Sequence, residues 1–216
     1  MREVPPPDRM FAHTLVQCVA EATNVHGPRS SKRTDRIHHC IRQYIESRNP
    51  RVECKVEYKL STEMDVFKVD VAIFARNTNA LVACLLFKGL TSSISKNDKN
   101  YEHNKIGEAV KAKSGMGSAK LVYLDVVPVR CPTYRADKSV LRWETHDPAD
   151  VRARSLTVAK VANKLAIAPI IDDIYTVSVD YEYHPDQSIA VKEMVDATDL
   201  DRFEALIEGL AAEPSL

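Results

Sequence analysis

The sequence predicts an α/β protein with a central mixed β-sheet flanked by helices. Three observations carry this. Apolar residues recur at helical spacing over the first fifty positions, then give way to alternation in "RVECKVEYKL" and to a run apolar on both faces in "ALVACLLFK". A polar helical stretch then separates that run from a second apolar one, "AKLVYLDVVPV", which is the order of a crossover between parallel strands. With 216 residues and 44% hydrophobic content, the chain can build a proper core within a single domain, residues 1–216.

The first helix is expected in "DRMFAHTLVQCVAEATN", where Phe11, Leu15, Val16 and Val19 share a face, and the polar "VHGPRSSKRTD" follows as a loop. Thr34 or Asp35 can cap a second helix, "DRIHHCIRQYIESRN", with Ile37, Cys40, Ile41, Tyr44 and Ile45 inward. Residues 8–48 therefore form a helical part. In "RVECKVEYKL", Val52, Cys54 and Val56 alternate with Glu53, Lys55 and Glu57, the pattern of a strand with one wet face. "STEMD" is a turn, "VFKVDVAIFA" a second strand, "RNTN" a tight connection and "ALVACLLFK" a third, central strand.

The loop "GLTSSISKND" leads into the helix "KNYEHNKIGEAVKAKSG", with Ile106, Ala109 and Val110 on one side and Gly115 as its stop. A fourth strand, "AKLVYLDVVPV", is expected to pair in parallel with the third. Beyond Pro132 the pattern is less regular. Residues 148–212 hold a helix opened by Asp147 and Pro148, a strand in "IYTVSVDYEYH" and a capped terminal helix in "DATDLDRFEALIEGLAAE".

Composition narrows the function classes. Lys plus Arg and Asp plus Glu stand at 30 each, so any nucleic-acid surface must come from segregated charge and not from the total. No apolar run reaches the roughly 18 residues of a membrane span, and "MREVPPPDRM" has no signal-peptide core, which makes the cytoplasm the expected location. The five cysteines (Cys18, Cys40, Cys54, Cys84 and Cys131) are scattered without CxxC pairs, which argues for reduced, mostly buried thiols. His38 and His39 are adjacent and would point about 100° apart on a helix, an arrangement that does not make a zinc site. GxGxxG, Walker and GxSxG patterns are absent, which counts against nucleotide-dependent and serine-hydrolase chemistry.

Two charges stand out inside apolar strands: Asp70 within "VFKVDVAIFA" and Lys88 at the end of "ALVACLLFK". Taken singly, Asp70 is a residue on the solvent side of an edge strand, and Lys88 a strand-end lysine reaching water. Taken together, with a helix, three strands, a helix and a strand in that order, the region from about Thr34 to Val129 resembles the PD-(D/E)xK nuclease superfamily, the fold of many type II restriction endonucleases. In that family an aspartate follows a hydrophobic residue on the second strand, here Val69-Asp70, and a lysine ends the third, here Lys88, eighteen positions on.

The resemblance implies a restriction-endonuclease-like core and a Mg²⁺-dependent, sequence-specific endonuclease acting on double-stranded DNA, working as a homodimer because two-fold symmetry matches a symmetric site. Asp70 is then the central Mg²⁺ ligand, and Lys88 orients the attacking water or neutralises charge on the phosphate. The chain departs from the family at Leu86, where an acidic residue normally stands two positions before the lysine; leucine cannot bind magnesium. A subgroup of restriction enzymes carries that acid on the following helix instead. At about the remove seen there, with thirteen residues intervening, Lys88 is followed by Glu102 in "NYEHNK", the candidate second ligand; that subgroup has Ser or Thr where this chain has Leu86, and Glu108 in "IGEA" fits the spacing less well. Glu57 and Glu46 are further candidates through water, and Glu102 can also be read as an ordinary exposed helix residue.

The helix "SKNDKNYEHNKIGEAVKAK" interleaves lysines with Asn and His. Lysines suit phosphate contacts and asparagines suit adenine edges, so Lys96, Lys99, Asn100, His103, Asn104 and Lys105 are candidate DNA-binding residues, against the plain alternative of a solvated face. "GPRSSKR" and "VRARS" could likewise track a DNA backbone or lie on the surface. Two alternatives to the enzyme stay open: a nuclease-fold DNA-binding or interaction module that has lost its chemistry at Leu86, and an α/β domain without a nucleic-acid role.

Overall fold

Five helices flank one seven-stranded mixed sheet in a computed structural model that describes residues 7–27, 34–63, 65–164, 166 and 168–211, apart from the side chains of residues 7–9 and 96–98. Two helices, α1 (Pro7–His26) and α2 (Thr34–Arg48), precede a meander of β1 (Val52–Ser61), β2 (Val66–Ala75) and β3 (Leu81–Gly89). Helix α3 (Ile94–Met116) crosses over to β4 (Lys120–Tyr134), which turns back as β5 (Val140–Thr145). Helix α4 (Pro148–Lys164), strands β6 (Asp173–Tyr183) and β7 (Ile189–Asp196) and helix α5 (Asp199–Gly209) complete the described elements.

The sheet runs β1-β2-β3-β4-β6-β7, with β5 paired to the far part of β4. The meander is antiparallel, β3 and β4 pair in parallel across the α3 crossover, and β4 and β6 pair in parallel across α4. Apolar side chains divide between two layers. Helices α1, α2 and α5 cover one face, with Leu15, Ile41 and Phe203 over Val71, Leu85, Val122, Leu124 and Val126. Helices α3 and α4 cover the other face, where Ala109, Ala112, Met116, Val158 and Ala162 pack on Ala72, Cys84, Leu86 and Tyr123.

The expected order of helix, three strands, helix and strand is the observed order of α2 through β4. Several details differ. Helix α3 starts at Ile94, five residues before Lys99, and runs through Gly115 to end at Met116, where Gly117 takes a positive φ of 59°. Gly115 serves a different purpose: a Cβ there would lie 2.3 Å from the Ser61 carbonyl oxygen, so only glycine lets α3 approach the end of β1. Val110 is exposed, because Ala109, Ala112 and Met116 form the inward row. Strands β5 and β7 go beyond the elements the sequence predicts. Pro128 and Pro132 both sit within β4, where proline normally argues against a strand, and yet β4 continues to Tyr134 and pairs with β5.

Alternation in β1 also breaks. Val52 and Cys54 face the α2 layer, but Glu57 has φ 52°, and beyond it Tyr58 and Leu60 face the α3 layer. Glu57 lies opposite Asp70, between the pairs Val56↔Val71 and Tyr58↔Val69, and β2 changes face there too, with Val69 in one layer and Val71 in the other. The β2–β3 pairing stops at Val71↔Leu85, whereas β3 goes on pairing with β4 as far as Gly89. The sheet is therefore split between β2 and β3 next to Asp70.

Candidate active site

The split leaves backbone groups that the ladder does not use, and a buried amide needs an acceptor. The Phe87 N–H donates to Asp70 Oδ2 at 2.6 Å, which places the carboxylate beside the residue that precedes Lys88. Asp70 Oδ1 lies 3.6 Å from His38 Nε2, and His38 Nδ1 lies 2.6 Å from Glu57 Oε1, with neither ring nitrogen in hydrogen-bond alignment. Glu57 also pairs with Lys68. Burial raises the pKa of Asp70 above the ordinary aspartate value, an effect that His38, the Phe87 amide and Lys88 partly offset. At Glu57 burial pushes the same way, but Lys68 and His38 hold the carboxyl below its usual range.

Lys88 reaches to the α3 side of the sheet. Its Nζ lies 2.9 Å from Glu108 Oε1 and 2.8 Å from Oε2, one turn of α3 beyond a second pair in which Lys105 Nζ meets Asp125 on β4. Lys105 and Asp125 are both buried, and the Tyr123 hydroxyl donates to the Lys105 carbonyl at 2.8 Å. Burial raises the Tyr123 phenol strongly, and Glu108, Asp125 and Asp70 add to the rise, so the three carboxylates act on one buried ring. Glu108 Oε2 and Asp125 Oδ1 are buried and make no aligned hydrogen bond among the described residues.

A cleft opens between α3 and α4 at the end of β3 and beside the middle of β4, and its wall includes Lys88, Tyr101, Glu102, Lys105, Asp125 and Arg154. Glu102 thus shares a cleft with Lys88, while the contact to the ammonium is made by Glu108. Asp70 is not part of that wall; its free oxygen is turned toward His38 on α2. Leu86 is buried against α3 in the apolar layer.

Of the candidate DNA-binding residues, Lys99, Asn100, His103 and Asn104 are exposed on α3. Lys105 is a correction: it points inward and is 8% exposed, with its ammonium committed to Asp125, since a lysine buried in an apolar layer needs a carboxylate partner. The Lys96 side chain lies outside the described residues, as does most of "GPRSSKR". In "VRARS", Arg152 is bound to Asp196 and Asp199, and Arg154 lines the cleft.

Sequence spacing favours Glu102 over Glu108, and it does not flag Asp125 or His38 as ligands. Asp125 carries the same signal as Asp70, a carboxylate inside an apolar strand. His38 carries another: it stands three residues before Ile41 and seven before Ile45, in the inward row of α2, and it is buried. Two groups among the described residues could hold a metal ion, His38 with Glu57 and Asp70, and Cys131 with Glu144 and His146. No protein-family model, curated protein or solved structure matches the chain.

Proposed function

We propose that the protein is a Mg²⁺-dependent, sequence-specific endonuclease of the restriction type, acting on double-stranded DNA as a homodimer. The observation that carries this reading is the Asp70–Phe87 hydrogen bond at the split between β2 and β3, which sets a half-buried carboxylate next to the residue before Lys88 and within electrostatic reach of its ammonium.

A hard cation fits the residues present. Asp70 is a carboxylate whose ionised form burial penalises, and Asp125 keeps a buried oxygen without an aligned hydrogen bond among the described residues. A divalent ion is the partner that such oxygens favour. Asp70 would hold it together with Glu57, which shares a metal-competent group with it and His38, while Glu108, Glu102 and Asp125 are the carboxylates on the Lys88 side of the sheet. When bound, Mg²⁺ supplies charge to a phosphoryl oxygen and acidifies a water. Lys88 holds Glu108 in place and carries a positive charge available to a phosphate. The exposed Lys99, Asn100, His103 and Asn104 offer phosphate and base-edge contacts on the outer side of α3.

The second reading, a DNA-binding module without chemistry, is favoured by one observation: Leu86 fills the usual acid's position and is buried in the apolar layer. Incubation with plasmid DNA and Mg²⁺ separates the two. Discrete fragments support the nuclease, retardation without cutting supports the module, and DNA left both uncut and unretarded removes both readings.

A further inference from the structure

Far from Asp70 in the sequence, the β4–β5 hairpin gathers three unlike side chains. Cys131 Sγ lies 3.9 Å from His146 Nε2 and 4.0 Å from Glu144 Oε2, and the last two atoms are 3.6 Å apart. The nitrogen–oxygen separation is too long for a hydrogen bond. Taken as the sides of a triangle, the three distances put a point about 2.2 Å from every atom. Bonds from zinc to thiolate, imidazole and carboxylate run about 2.0–2.3 Å. We infer that Cys131, Glu144 and His146 form a binding site for a transition metal ion of the zinc type, separate from the proposed Mg²⁺ site.

The donor set supports this class of metal, because thiolate and imidazole select zinc-like ions over magnesium and calcium. The surroundings orient the ligands. Glu144 Oε2 also accepts the Ser95 N–H at 2.9 Å, Oε1 accepts the Thr133 hydroxyl, and burial alone would raise a carboxyl that these bonds instead hold below its usual range. Burial pushes the Cys131 thiol up to about 11, while the backbone N–H groups of Ile94 and Ser93 act in the opposite direction. On coordination the thiol gives its proton to solvent and the sulfur bonds to the metal as thiolate. Cys131 is fully buried and Glu144 and His146 nearly so, which keeps the three ligands away from solvent. The ion would tie β4 to the end of β5, and Glu144 joins that hairpin to the first turn of α3 through the Ser95 N–H.

Metal-free protein titrated with Co²⁺ tests the site directly. The expected result is a thiolate-to-cobalt charge-transfer band that saturates at one equivalent, displaced by Zn²⁺, and a melting temperature raised by Zn²⁺. Both responses should vanish in Cys131→Ala and weaken in His146→Gln. Magnesium-site residues contain no sulfur, so the band does not depend on the nuclease reading. Cobalt binding without a thiolate band, a band that persists in Cys131→Ala, or no binding by the folded wild-type protein would each overturn the proposal.

Discussion

The Phe87 amide and the Asp70 carboxylate are joined by a 2.6 Å hydrogen bond where the β2–β3 ladder stops. Asparagine keeps an acceptor oxygen for that amide but binds a hard cation poorly. Asp70→Asn is therefore expected to retain the wild-type circular dichroism spectrum and to lose Mg²⁺-dependent cleavage by at least about 100-fold. Cleavage at the wild-type rate would remove Asp70 from the site.

Glu108 holds Lys88, whereas Glu102 only shares its cleft. Glu108→Gln should abolish plasmid cleavage, and Glu102→Gln should reduce it by less. The reverse order would make Glu102 the carboxylate that works with Lys88.

Lys105→Met leaves Asp125 buried without its partner, and we expect a loss of about 3–5 kcal/mol in urea unfolding. Replacing both, as Lys105→Met with Asp125→Leu, should recover most of that loss. A single variant as stable as the wild type would show that the pair is not buried in solution.

For the outer face of α3, Lys99→Ala should weaken binding to all DNA sequences and lower the salt slope by about 1. Asn100→Ala and Asn104→Ala should mainly relax sequence preference. Unchanged binding in all three would put the DNA surface elsewhere.

Asp70 also links stability to pH. Its folded pKa lies above the unfolded value because burial penalises the charge, so the ionised group lowers stability above the folded pKa. That penalty shrinks as pH falls through the folded pKa and is gone below the unfolded one. Relative to wild type, Asp70→Asn should gain stability at neutral pH and lose the advantage by about pH 3. Urea unfolding at several pH values checks the sign.

Period and order are legible in the residues: the meander, the α3 crossover and the parallel β3–β4 pair all follow from apolar spacing. The far part of β4 is hidden by Pro128 and Pro132, β5 by its mostly exposed residues, and β7 by its weak alternation at the sheet edge, where only one side is paired. The site is half legible. Asp70 and Lys88 are visible as charges in apolar strands, but which helix carboxylate meets Lys88 depends on the rotation of α3, and that is set by contacts the sequence does not display.

One such contact is the seat of Gly115 on the Ser61 carbonyl. Because α3 carries Glu108 on its inner side and Lys99, Asn100 and Asn104 on its outer side, this glycine works as a gauge: it sets how close the whole helix, with both faces, comes to the sheet. A methyl group at that position would shift both together, so in the proposed nuclease sequence choice and chemistry would change in step even though Gly115 touches neither.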